Sequence, residues 1–166
     1  MLETVGDMWE WYDEGHTLVI PTNIGWKSDG TNVMGRGVAL DALHKFPTLS
    51  KSYGDFCRAN PETACVLVLE NERLVLVPTK PLNPKTPHLS WKYDSDLKTI
   101  ERSLQDLLLQ LDQLPFSAFR DRLSQQSKRI VFPLLGCGNG NLKKADVVPL
   151  LNQYLNTDLF VLCLPS

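Results

Sequence analysis

Lys80 stands at the end of an apolar run, in the tripeptide Pro78-Thr79-Lys80. A lysine amine is nucleophilic only when neutral, so covalent chemistry there needs a pKa lowered by burial or by nearby cations. Kept protonated, the same group would assist a leaving group instead. By spacing alone, Lys80 reads as an exposed strand-end lysine, which most lysines are. Two glycine-rich segments change its setting. Asn23–Ala39 follows the strand-like run Thr17–Pro21, and Pro133–Leu142 follows Arg129–Phe132. Each then leads into a helical pattern. Glycine lets backbone N–H groups approach a ligand, and a helix start offers a positive dipole end. Two such loops suit the walls of one cleft for an anionic or polar guest, with a nucleotide the natural candidate.

Other side chains carry a functional and a structural reading. Asn23 donates and accepts, which suits ribose hydroxyls, but a turn asparagine bonds its own backbone equally well. Asn32 is evenly divided. Asp7 matches an amino group, or caps whatever follows it. Cys137 lies between glycines, where a dipole lowers a thiol pKa; with no partner base evident, it reads as packing. Trp26 and Trp91 suit stacking on a base or ribose as well as core or rim packing. His16 and His44 read as structural or solvated, and His88 lies in the loop near Trp91.

These residues need strands to carry them. Short runs rich in Val, Ile and Leu predict strands over Thr17–Ile20, Ala64–Leu69, Arg73–Val77, Arg129–Phe132 and Leu159–Leu164, with Leu2–Val5 as an edge. Their continuous apolar character predicts burial on both faces. Glu70-Asn71-Glu72 predicts a hairpin. Helices are expected over Arg36–Lys45, Thr48–Arg58, Asp96–Leu111 with Ser95 as N-cap, Leu114–Lys128 and Lys144–Leu155. Alternating strands and helices give an α/β sandwich. Ligands of such sheets bind beyond the carboxyl ends of strands, where both glycine loops and Pro78-Thr79-Lys80 fall.

The 166 residues suit one domain, 1–166. With 43% hydrophobic and 22% charged residues, the composition is that of a soluble globular chain. A net charge of −2 argues against a dedicated basic nucleic-acid face, though not against local engagement. Cys57, Cys65, Cys137 and Cys163 form no C-x-x-C pair. Reduced thiols in a cytoplasmic protein, and no zinc, are expected. No apolar run approaches the roughly 20 residues of a membrane helix, and the acidic start with Trp9-Glu10-Trp11 does not read as a signal peptide.

Taken together, the segments resemble the macrodomain family, whose fold is a three-layer α/β/α sandwich with a mixed, mostly parallel sheet of about six strands. Gly6-Asp7-Met8 resembles the family's adenine-contacting element, and Pro21-Thr22-Asn23 its strand end. Met34-Gly35-Arg36-Gly37-Val38-Ala39 resembles the loop around the distal ribose and a phosphate. Leu135-Gly136-Cys137-Gly138-Asn139-Gly140 resembles the second phosphate loop. These loops are most similar to the DarG-like branch, which removes ADP-ribose from DNA and has relatives acting on protein. There the lysine of Pro-Thr-Lys is catalytic; its counterpart is Lys80, followed here by Trp91 and Ser95-Asp96-Leu97.

The resemblance implies catalytic roles for Lys80 and Asn23. It implies ligand contacts from Asp7, Met8, Thr22, Asn32, Met34, Gly35, Arg36, Gly37, Val38, Thr79, Leu135, Gly136, Cys137, Gly138, Asn139 and Gly140. ADP-ribose or an ADP-ribosylated macromolecule, DNA included, would be the partner of a monomer needing neither metal nor cofactor and no membrane. The chain also departs from the pattern. Asn-x-x-Asn is Asn23-x-x-Trp26, and the loop before Met34 and the segment Leu82–Ser90 are longer. As in the DarG-like branch, Gly140 stands where the protein-directed relatives have an aspartate. Removal of phosphate from ADP-ribose 1″-phosphate, and binding without turnover, are the alternative activities.

Overall fold

The computed structural model describes residues Met1–Ser166. Six strands form one sheet: β1 (Leu2–Val5), β2 (Thr17–Asn23), β3 (Leu67–Leu69), β4 (Leu74–Lys80), β5 (Ile130–Phe132) and β6 (Phe160–Leu164). Their order is β1-β6-β5-β2-β4-β3. Every pairing is parallel except that of β3 with β4. Six α-helices cover the faces: α1 (Met8–Asp13), α2 (Gly37–Lys45), α3 (Leu49–Ala59), α4 (Leu97–Leu111), α5 (Phe116–Gln125) and α6 (Lys144–Tyr154). A 3-10 helix spans Pro87–Lys92. No helix is long and apolar enough to cross a membrane.

The apolar strands alternate between two cores. Val19, Val75, Val77, Ile130, Phe132 and Leu162 join α4, α5 and α6 on one face. Leu18, Ile20, Leu74, Leu76, Val131 and Val161 join α1, α2 and α3 on the other. Both faces are covered, so both parities of each strand must be apolar. Leu104, Leu107 and Leu111 place the α4 stripe against the sheet.

Several boundaries differ from expectation. The strand predicted over Ala64–Leu69 is ordered as a strand only from Leu67. Before it, Cys65 adopts φ 57°, and side chains take the backbone carbonyls: Tyr53 donates to Cys65 O and Gln110 to Val66 O. Arg73 is also left-handed, in the turn that sets Leu69 opposite Leu74. Its guanidinium donates to the carbonyls of Tyr12 and His16. The N-cap of α4 is Asp96, not Ser95, because the Asp96 carboxylate accepts from Lys98 N. Helix α1 was not expected; Asp7 caps it by accepting from Trp9 N at 2.9 Å.

β2 and β4 run longer than predicted and carry prolines. Pro21 lies beyond the last β5 pairing at Leu18, and Pro78 beyond the last β3 pairing at Leu76. A missing N–H is tolerated where a flank is open. Past Thr22, which is opposite Pro78, the register slips so that Asn23 faces Lys80.

Candidate functional site

From β5 the chain crosses through α6 toward β6, and from β2 it crosses through α2 and α3 toward β3 and β4. Strand order therefore reverses between β2 and β5, the kind of point at whose carboxyl ends open α/β sheets bind ligands. The two glycine loops leave those ends. Lys80 ends β4 on one flank, and Asp7 follows β1 on the other. Four strand spacings of about 4.8 Å separate β1 from β4, so this row spans about 19 Å.

The end of β4 is fixed from α4. Ser103 Oγ donates to Pro78 O at 2.8 Å, Asp96 N donates to Thr79 O at 2.9 Å, and Ser95 Oγ donates to Thr79 Oγ1 at 3.1 Å. Ser95 N also donates to Gly140 O at 2.8 Å, which ties the second glycine loop to the same point. Lys80 follows, half-buried, with Nζ donating to Trp91 O at 2.8 Å. Burial pushes its pKa below the usual lysine value; the Asp94 carboxylate opposes this and the Arg36 guanidinium adds to it. An amine held this way is closer to its nucleophilic form than a solvated lysine.

The glycines divide into two kinds. A Cβ on Gly25 would lie 2.0 Å from Pro87 O, and one on Gly140 would lie 2.1 Å from Ser95 Oγ. Gly136 is pressed on Ser95 as well. These close approaches are internal packing. At Gly35, Gly37 and Gly138 a Cβ would meet nothing within 4 Å. With Arg36 and Asn139 beside them, they form the exposed backbone of the two loops. Arg36 caps α2 without offering an acceptor, so the first-turn N–H groups of that helix have no side-chain partner. That end carries unsatisfied donors and partial positive charge, suited to an anion.

The remaining expected ligand residues are placed as follows. Asn23 is buried, with its amide used inside the loop: Nδ2 donates to Val33 O, and Oδ1 accepts from Gly25 N and Asn32 Nδ2. Asn32 donates also to the carbonyls of Asn23 and Gly25, while its buried Oδ1 has no partner. The two amides knit the longer loop together rather than projecting from it. Thr22 Oγ1 donates to Tyr53 OH, toward the core. Met8 and Met34 belong to one core and Leu135 to the other, with Val38 packed at the first and Cys137 at the second. Burial and then Asp146 push the Cys137 thiol up, which suits packing and not thiolate chemistry. Thr79 is buried beside Ser95, and Asp7 is exposed.

Trp26 packs at the rim of the core; Trp91 is exposed, with Lys92 Nζ 5.4 Å from its ring centroid. His16 is buried, and His44 and His88 are exposed. Asp94 and Asn141 escaped the sequence reading. They join at 2.7 Å from segments remote in the chain, and no spacing announces that contact.

No protein-family model and no curated protein matches the chain. Solved structures do. The macrodomain of Thermus aquaticus DarG is 24% identical with a TM-score of 0.66, over 99% of this chain and 97% of that one. The chain has the macrodomain fold. The macrodomain of Mycobacterium tuberculosis DarG is 22% identical with a TM-score of 0.65, over 99% and 98%. Thermosipho africanus DarTG in complex with ADP-ribose is 22% identical with a TM-score of 0.65; all of this chain is covered but only 42% of that one.

Proposed function

We propose that residues 1–166 form one macrodomain that binds ADP-ribose and hydrolyses its linkage to a modified macromolecule, nucleic acid or protein. The supporting observation is the order of groups along the sheet edge. A carboxylate stands at one end, open backbone donors in the middle, and a pKa-lowered lysine at the other. ADP-ribose has the matching order: an adenine amino group, a pyrophosphate, and the anomeric carbon of the distal ribose. The Thermosipho structure of the same fold was solved with ADP-ribose, which supports the ligand class.

Each part has a role the geometry allows. Asp7 caps α1 with Oδ1, and Oδ2 remains for an amino donor. The N–H groups around Gly35, Gly37 and Gly138 receive the pyrophosphate. Lys80 Nζ acts at the anomeric carbon: as a neutral nucleophile it displaces the modified group and water then cleaves the lysine adduct, or as an ammonium it protonates the departing group while water attacks the carbon. Asn23 acts by shaping the loop that delivers Met34–Gly37. Binding without turnover is the second reading, favoured by Trp26 in place of the second asparagine and by Gly140 in place of the aspartate of the protein-directed relatives.

The test is one assay series with ADP-ribosylated DNA, ADP-ribosylated protein and ADP-ribose 1″-phosphate, beside Lys80→Ala. Release of ADP-ribose from one macromolecule, lost in Lys80→Ala, is expected. Phosphate release alone would reassign the chain to the small molecule. No release, with ADP-ribose still raising the melting temperature, would leave a binder.

A further inference from the structure

The chain from the 3-10 helix into α4 crosses directly over Lys80. Trp91 O accepts from Lys80 Nζ, and three residues later Asp94 presents its carboxylate. The following residues are fixed on two sides, by Ser95 N to Gly140 O and Asp96 N to Thr79 O. Asp94 itself is clasped from the second glycine loop, where Asn141 Nδ2 donates to Asp94 Oδ1 at 2.7 Å. Asn141 holds φ 63°, a left-handed conformation that asparagine tolerates better than most residues. The other carboxylate oxygen, Oδ2, carries no hydrogen bond.

The charges that act on Lys80 are Asp94, on this crossing segment, and Arg36, at the start of α2. On the same segment Asp96 is turned into its own helix, accepting from Lys98 N and Thr99 Oγ1, and His88 is exposed. Lys92, on the same segment, is turned over the Trp91 ring. Asp146, at the start of α6, acts on Cys137. The second glycine loop, from Gly136 to Gly140, brings no charge. Asp94 lies between Trp91, which accepts from Lys80, and Asp96, which donates to Thr79 O, so its carboxylate acts on Lys80 without a direct ion pair, against burial first and one guanidinium second.

The geometry points to Asp94, clasped by Asn141, as the positioning residue whose charge opposes the burial of the Lys80 ammonium. The inference rests on the reading that Lys80 carries the reaction. Asp94 acts through Lys80 and need not touch substrate. Its negative charge favours the ammonium form of Lys80. The second glycine loop thereby gains a link to the lysine, because Asn141 follows Gly140 directly.

Asp94→Asn tests this with little disturbance, since asparagine keeps an oxygen for Asn141 to reach. Removing a negative charge beside a lysine favours its neutral form. Whichever limb of the pH–rate profile Lys80 governs should move to lower pH, at unchanged melting temperature. Titration of Lys80 by NMR after reductive methylation with labelled formaldehyde, assigned with Lys80→Arg, should move the same way. Asn141→Ala should shift both in the same direction by less. A Lys80 titration that superimposes on the wild-type curve in Asp94→Asn overturns the inference, whatever happens to the rate. If no substrate is cleaved at all, the hydrolase reading fails, and the NMR titration still decides the role of Asp94.

Discussion

Substituting two glycines of the same loop separates ligand contact from internal packing. In Gly138→Ala the added methyl meets nothing within 4 Å in the free protein, and no left-handed backbone opposes it. Loss of unfolded-chain entropy should then stabilise the fold by about 0.4–1 kcal/mol. For a chain of this size, 1 kcal/mol corresponds to about 2–4 °C, so the melting temperature should rise by roughly 1–4 °C. If pyrophosphate sits on this backbone, the same methyl separates it from the N–H donors. Losing one hydrogen bond to a charged group, worth about 1.5–3 kcal/mol, should weaken ADP-ribose binding roughly 10- to 150-fold. Gly140→Ala should do the reverse. Its methyl would lie 2.1 Å from Ser95 Oγ and 2.5 Å from Gly136 O, so Ser95 or the loop must move. Overpacking of this kind costs about 1–3 kcal/mol, or a fall of roughly 2–12 °C. Differential scanning fluorimetry on both variants and isothermal titration calorimetry on Gly138→Ala read these three numbers. Wild-type affinity in Gly138→Ala, or wild-type stability in Gly140→Ala, would refute the division of the glycines.

Asn23→Ala removes three hydrogen bonds that organise the loop before Met34. At about 1 kcal/mol each the loss should approach 2–3 kcal/mol, seen as a lower urea midpoint even without ligand. His16 should make stability pH-dependent. Burial, then Lys128, lowers its pKa below 6.5, and Nδ1 accepts from Arg129 N, so the folded form holds the neutral ring. As pH falls below about 6.5, the unfolded chain binds the proton first. The contribution is present above that value and is lost below it. The urea midpoint should fall between about pH 7 and pH 5, and less steeply in His16→Asn.

The strands were legible because each must satisfy two cores. In β2, Val19 turns to one face and Leu18 and Ile20 to the other, leaving an unbroken apolar run. The positions of both glycine loops and of Lys80 followed from that pattern. Helix α1 was not legible: it is six residues long, and its Trp-Glu-Trp reads equally as an irregular start. The roles of individual glycines were hidden too. Gly25 is required because Pro87 and Ser90 cover it, and Gly140 because Ser95 does, and those neighbours arrive from elsewhere in the chain. The amides of Asn23 and Asn32 suited a ribose by type, yet folding turns them on one another. Asp94 and Asn141 lack any shared motif and meet only through the tertiary fold.

A crystal structure of the protein soaked with ADP-ribose tests the central claim most directly. The account predicts the adenine at Asp7, the pyrophosphate over Gly35–Gly37 and Gly138, and the anomeric carbon of the distal ribose facing Lys80 Nζ at roughly 3–4 Å. A ligand bound in the opposite direction, or with its distal ribose turned away from Lys80, would contradict it.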